Sequence, residues 1–336
     1  MNSSYKKASL LLVSILALNI LAACGNNNNA SPASSPAAGQ SASPSATAPA
    51  SAQPAALTVD ETKAKELQAK FGDKKPEKVV VTSVALAEML DVLGVMPAGI
   101  PTSKTALPAA FEGVTQIGSA LKPDAEIIAS LKPDVVLGPK SIEDSLNKQL
   151  GSANLNLRYL PTDSLEDLKL SLVVLSRVFG QEEKASALIE RLTQEEAAAV
   201  KQAEGKAAPK VMFLFGSAES FMLMNESTFP GSLAKKLGAT NIVSATLKSK
   251  ETYVPLDMES VVAANPDAIL LVAHGDPEAA KKAFEEDVKK NGAWEKLNAF
   301  RNNRVEALDY NLFGVASIVK APSAYKEIAN KLFPTN

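Results

Sequence analysis

The stretch Glu126–Leu137, EIIASLKPDVVL, is answered further along the chain by Glu259–Leu270, ESVVAANPDAIL. Glu, Pro, Asp and Leu are identical at matching offsets, and most other positions are small or apolar. In each copy a short apolar helix begins at the Glu, breaks at Pro-Asp and runs into an apolar segment too short for a second helix. That is the helix-to-strand step of a parallel α/β sheet. Two copies predict two similar α/β lobes. The only histidine of the 336 residues, His274, follows the second strand in Val272-Ala273-His274-Gly275. Open α/β sheets place ligand-contacting residues at the carboxyl ends of their strands. A cleft between the lobes with an imidazole at its edge is the expected arrangement.

Outward from the first copy, strands are predicted at Lys78–Val81, Ala98–Ile100 and Leu157–Leu160, with an amphipathic helix Ala85–Leu93 stopped by Gly94. From Ser164 to Gly205 the chain reads as helix nearly throughout, broken once at Gly180-Gln181; its second part, Glu182–Lys201, is long and rich in Ala, Glu and Leu. One long helix between α/β halves would join them stiffly and limit hinge motion. The second half repeats the plan with strands at Val211–Phe215 and Arg304–Leu308, a helix closing over Leu233–Gly238, a helix Pro277–Lys290 and a last helix Ser317–Leu332. The expected organisation is a leader over 1–23, a tether over 24–57, an N-terminal α/β lobe over 58–163, a helical segment with the interlobe helix over 164–205, and a C-terminal α/β lobe over 206–336.

The amino end carries Lys6 and Lys7, an apolar run from Ala8 to Leu21 and small residues before Cys24, the pattern of a secretory signal. Leu21-Ala22-Ala23-Cys24 resembles the bacterial lipobox, so cleavage would leave Cys24 as a lipidated amino terminus. Cys24 is the only cysteine, which excludes an intramolecular disulfide. Residues 25–57 are mainly Asn, Ser, Pro, Ala and Gln without a charged side chain. Such a segment buries too little apolar surface to offset its ordering entropy, and is expected to be a disordered tether. Of 35 basic and 37 acidic residues the leader removes two lysines, leaving an acidic balance with no basic stripe. Nucleic acid is therefore an unsuitable partner.

Among residues that could carry chemistry, His274 has two readings from position alone: a ligand for iron in a porphyrin, aimed into the cleft, or a hydrogen bond to the backbone of its own turn. Catalysis finds no support, with no second histidine, no nucleophile elbow and no dinucleotide-binding loop. Gly138-Pro139-Lys140-Ser141 lacks the upstream glycine of a phosphate loop and reads as a turn at the lobe edge. Zinc would need several His or Cys ligands where one His exists. Glu126 and Glu259, in the first turns of their helices, are stabilised by the helix dipole, or serve as one docking carboxylate per lobe for a membrane partner. Met222 and Met224 share a strand face and read as core filling, as do Trp294, Phe300 and Phe313.

Over roughly residues 75–335 the chain resembles bacterial substrate-binding lipoproteins of ABC importers for iron complexes, heme and cobalamin. Within that group it is most similar to the heme-binding lipoproteins of the iron-regulated surface determinant system of Gram-positive bacteria. The matching segments are Thr82-Ser83-Val84-Ala85-Leu86, Pro101-Thr102-Ser103, Ile117-Gly118, Leu131-Lys132-Pro133, Ala273-His274-Gly275-Asp276-Pro277-Glu278, Trp294, Asn302-Asn303 and Phe313-Gly314. The resemblance implies a class III periplasmic-binding-protein-like fold, two α/β lobes joined by one long helix with the ligand cleft between them. It implies heme iron held by His274, propionates near Thr82, Ser83, Ser103 and Lys104, and Glu126 and Glu259 facing permease arginines. The family's second iron ligand, a methionine, falls on Leu121, which has no lone pair; Lys122 or Met224 are alternative donors. The expected protein is a monomeric, non-enzymatic receptor, lipid-anchored outside the cytoplasm, that delivers heme to an ABC permease. A ferric siderophore or a corrinoid is the alternative cargo, and only five arginines, Arg158, Arg177, Arg191, Arg301 and Arg304, are present to meet an anionic siderophore. A surface hydrolase or adhesin would need a catalytic constellation or tandem repeats, and the sequence offers neither.

Overall fold

Each copy of the repeat folds as a pinned helix-to-strand step. The computed structural model of the chain describes residues 59–217, 220–273, 277–290, 292 and 296–334, with backbone alone for 277, 287 and 288. The leader, the tether with Cys24, His274 and Trp294 lie outside the described residues. The first half builds α1 (Glu61–Ala69), β1 (Val79–Val81), α2 (Val84–Leu93), β2 (Gly99–Thr102), β3 (Thr115–Ser119), β4 (Lys122–Pro123), α3 (Ala125–Ser130), β5 (Val135–Pro139), α4 (Glu143–Leu150) and β6 (Leu157–Leu160). Its sheet has the order β4-β3-β2-β1-β5-β6, parallel except for the β3–β4 hairpin.

Two helices follow, α5 (Leu165–Phe179) and α6 (Glu182–Ala203). Ser164 and Asp167 cap α5 reciprocally as a capping box. Gly180, at φ 62°, takes the left-handed conformation that ends α5 and lets the chain turn into α6. The 22 residues of α6 make a rod about 33 Å long. It packs on α2 of the first lobe and on the last helix of the second.

The second half builds β7 (Lys210–Ser217), β8 (Ser220–Met224), α7 (Phe229–Lys236), β9 (Thr240–Asn241), α8 (Ile242–Ala245), β10 (Tyr253–Pro255), α9 (Met258–Ala264), β11 (Ala268–Ala273), α10 (Pro277–Lys290), α11 (Asn298–Arg301), β12 (Val305–Ala307), α12 (Tyr310–Phe313) and α13 (Ala321–Leu332). Its sheet runs β10-β8-β7-β11-β12, and β9 pairs in parallel with the first residues of β7. Residues 317–320, expected as the start of the last helix, form a turn before it.

The repeat's Pro-Asp has a mechanical role in both lobes. Asp134 Oδ2 accepts the backbone N–H groups of Glu77 and Lys78, each at 2.8 Å, and its own N–H donates to the Lys78 carbonyl. Asp267 repeats this on Lys210, accepting its N–H at 2.9 Å and donating to its carbonyl. Each aspartate therefore ties its own strand, β5 or β11, to the strand that opens its lobe. Residues Lys132 and Asn265, just before the Pro-Asp, both have positive φ. Asn tolerates that conformation and Lys less readily.

Along β1, β5, β7 and β11 alternate side chains enter different cores, as the period of 2 requires. Val79, Val81, Val135, Leu137, Val211, Phe213, Leu270 and Val272 face one continuous apolar core, shared with α5, α6 and α13, that runs through both lobes. Val80 and Val136 face a second core in the first lobe, and Met212, Leu214, Ile269 and Leu271 a third in the second lobe. All the described residues belong to one unit, Gln53–Asn336. No helix among them is long and apolar enough to cross a membrane.

Candidate functional site

The carboxyl ends of the two sheets open on one interlobe cavity of about 320 Å³, within the usual range of small-molecule sites, about 300–1,000 Å³. The first lobe supplies Ser83 after β1, Thr102 and Ser103 at the end of β2, Ala120 from the β3–β4 turn, Pro139 and Ser141 at the end of β5, and Thr162 and Asp163 after β6. The second supplies Phe215, Met224 and Tyr253, then Thr228-Phe229-Pro230 and Phe313-Gly314-Val315-Ala316. One wall is rich in hydroxyls and the other in aromatic and apolar groups.

Local chemistry fixes the hydroxyl wall. Ser83 occupies the position before α2 without spending its side chain on a helix cap, and is 8% exposed. Ser103 Oγ accepts the Thr105 N–H at 3.0 Å, which shapes the turn after β2. Burial raises the pKa of Asp163 and the field of Asp167 adds to the shift, while a hydrogen bond from the Ser141 hydroxyl pulls it back.

The apolar wall rests on an antiparallel insertion. β8 pairs with β7, placing Met224 opposite Phe213, and β10 pairs with β8, placing Tyr253 beside Met224. Phe215 and Tyr253 meet with ring centroids 6.0 Å apart, and Phe229 and Phe313 at 6.2 Å. Tyr253 is 45% exposed at the cleft mouth. Burial against the wall pushes its phenol up, and the negative field of Asp163 from the other lobe adds to this. At the start of α7, Thr228 Oγ1 donates to the Asn225 carbonyl and accepts from Gly231 N–H. A Cβ on Gly231 would meet that same carbonyl oxygen at 2.1 Å, so the close approach of α7 to this loop needs glycine.

The residues expected at the site divide. Ser83 and Ser103 line the cavity. Thr82 is fully buried and its hydroxyl donates to the Leu137 carbonyl at 3.1 Å, joining β1 to β5 behind the wall. Lys104 is exposed beside Ser103, just off the wall. Leu121 stands at the tip of the β3–β4 turn, 64% exposed, its carbonyl held by Gln149 Nε2 at 2.9 Å. Met224 is buried at the cavity edge, whereas Met222 is 38% exposed and outside the core. Phe313 is both core and wall, and Phe300 packs against Phe284. Glu126 and Glu259 are both exposed in the first turns of α3 and α9. The caps Asp124 and Asp257 precede each by two residues, the former accepting the N–H groups of Glu126 and Ile127 and the latter that of Ser260. In the segment 138–141, Gly138 and Pro139 end β5, Lys140 and Ser141 open a 3-10 turn, and Pro139 and Ser141 enter the cleft wall. Sequence reasoning missed Ser141, Thr162 and Asp163, although each follows a predicted strand end, and missed Tyr253, whose strand carries no apolar run.

Beneath the cavity the lobes are fastened. Glu88 of α2 is 5% exposed with Oε2 unpartnered. Burial raises its pKa, opposed by a hydrogen bond from Ser317 of the second lobe and the field of Lys320. Further back, Glu196 of α6 binds Lys169 of α5 at 2.9 Å and Lys236 of α7 at 3.0 Å, and Glu166 joins both lysines at longer range. Burial opposes ionisation of Glu196, but the hydrogen bonds and fields of Lys169 and Lys236 outweigh it and hold the carboxyl low.

A sequence model of the periplasmic binding proteins matches residues 79–312. The high-affinity heme uptake system protein IsdE of Staphylococcus aureus is 31% identical over 252 residues, 75% of this chain and 85% of the relative. The crystal structure of an ABC transporter substrate-binding protein from Listeria monocytogenes superposes with TM-score 0.71 at 35% identity, over 78% of this chain and all of that one. The structure of S. aureus IsdE complexed with heme superposes with TM-score 0.70 at 30% identity, over 76% and 98% of the two chains. The chain belongs to the periplasmic binding protein family, and is a solute-binding protein of the ABC-importer type, not an enzyme.

Proposed function

We propose that this protein captures heme in the interlobe cleft and presents it to an ABC permease, held at the outer face of the membrane by lipid on Cys24. The observation that carries the reading is the two-faced cavity: an aromatic and apolar wall suited to a macrocycle face opposite a rim of hydroxyls suited to a polar edge. The likeness to a relative named for heme uptake supports it. In this reading His274 ligates the iron, and Ser83, Ser103 and Lys104 meet the propionates. Glu126 and Glu259, one on each lobe, orient the complex on basic residues of the permease. Thr82 acts from behind, by holding β1 against β5.

Titration of the purified protein, freed of residues 1–57, with hemin is the test. A saturable Soret shift at micromolar protein is expected, lost or displaced in His274→Ala; no shift would remove heme as the cargo. Leu121 gives a specific reason to keep a ferric siderophore or corrinoid as the second reading, since a side chain without a lone pair stands at the turn where a second iron ligand is expected. If heme is the cargo, Leu121→Met should move the spectrum toward a six-coordinate form.

A further inference from the structure

Strand order fixes the order of side chains along the rim of the first lobe. Reading across β2, β1, β5 and β6, the rim carries Ser103 and Lys104, then Ser83, then Ser141, then Thr162 and Asp163. Three interstrand steps separate the two ends, roughly 14 Å. Among the described residues lining the cavity, Asp163 is the one with a formal charge. It is half-buried, anchored by Ser141, and faces Tyr253 from the other lobe. Lys104 stands just outside the opposite end. The rim is therefore electrically polarised along its length, positive at the β2 end and negative at the β6 end.

We infer that Asp163 is a charge filter that sets both the orientation and the class of cargo: it admits a ligand whose negative charge lies on one edge and rejects one that is anionic all round. This rests on the reading of the cleft as the cargo site. A porphyrin dicarboxylate can place its carboxylate edge over Ser103 and Lys104 and keep it away from Asp163. A ferric tris-catecholate trianion has no neutral edge to turn toward Asp163. Like charge brought together in a partly desolvated wall costs enough to discriminate, and specificity built by repulsion needs only one such residue.

The experiment titrates the wild type, Asp163→Asn and Asp163→Lys with hemin and with a ferric tris-catecholate, following intrinsic fluorescence. Asparagine keeps the size of the side chain and its capacity to bond Ser141, and thermal melts check that each variant is folded. The preference for hemin over the trianion is expected to fall about tenfold in Asp163→Lys, with Asp163→Asn between it and the wild type. Hemin in Asp163→Lys should also show a second set of paramagnetically shifted proton signals, as the reversed in-plane orientation becomes accessible. An unchanged preference, or hemin and trianion gaining affinity in parallel, would overturn the filter. If hemin fails to bind the wild type while trianion binding still rises in Asp163→Lys, the heme reading falls and the filter stands. If the trianion also fails to respond, both fall.

Discussion

The two lobes share a plan and differ at the surface they present to the cleft. Each begins with a strand tied by the aspartate of its Pro-Asp, and each repeat helix is capped by an aspartate two residues before its glutamate. In the first lobe, however, β1 has parallel neighbours on both sides and the rim is made of strand ends bearing hydroxyls. In the second, β9 occupies only the first two residues of the matching edge, and the antiparallel β8 takes the rest. That insertion, extended by β10, brings Met224 and Tyr253 beside Phe215 of β7 to form an apolar wall. A duplicated scaffold therefore yields an asymmetric site when one strand pairing changes direction.

The largest expected effect breaks the junction where the lobes meet. Lys169→Met removes one of the two lysines on the half-buried Glu196 and should cost about 3 kcal/mol in urea unfolding. Because the Glu196 carboxyl is held below its ordinary pKa of 4.5, this stabilisation is present above that value and lost as pH falls through the folded pKa. Wild type and Lys169→Met should converge in acid.

Next in size is a comparison of the two walls. Tyr253→Ala should weaken cargo binding about tenfold and Ser103→Ala about threefold, since an aromatic wall residue contributes more than one polar contact at the rim. Equal losses in a fluorescence titration would argue against the division of labour between walls.

A smaller difference should separate the two pins. Asp134 accepts two backbone N–H groups, whereas Asp267 accepts one and also bonds Asn298 Nδ2. Asp134→Ala should lower the melting temperature more than Asp267→Ala. The bonds from Lys78 and Glu77 hold the Asp134 carboxyl below its usual range. Its contribution is thus present above the ordinary value of 3.8 and fades as pH falls through the folded pKa.

The smallest effect has the opposite sign. Burial raises the Glu88 pKa, so the wild type is favoured below the ordinary value of 4.5 and loses stability as pH rises through the folded pKa. Glu88→Gln should raise the melting temperature at neutral pH by about 2 °C. The gain should vanish in acid, as calorimetry across pH would show.

The elements legible in the sequence were those with a local cause. The repeat, the four central strands and the break at Gly180 were readable because apolar runs, Pro-Asp and glycine impose their geometry on nearby residues. β3 and β10 were not, since short strands without an apolar run take their conformation from pairing with distant chain. The site was legible in proportion. Ser83 and Ser103 follow readable strands, and Asp163 could have been found by applying the strand-end rule to β6. Tyr253 depends on β10 pairing with β8, and no local pattern announces it. Sequence does not show which way the Thr82 hydroxyl turns at its strand's end, and here it turns inward to Leu137.

The long helix α6 has a bearing on the order in which the molecule can be completed. The chain passes from one sheet to the other once, so all strands of the first sheet are present before β7 is synthesised. The apolar face of α6, including Ala199 and Ala203, has no such early partner on its far side. It is covered by α13, the last helix of the chain. A nascent protein thus carries an unsheathed stripe from the middle of its synthesis until α13 has been made. Loss of α13 would leave the first sheet able to form and this stripe open to aggregation or to chaperones.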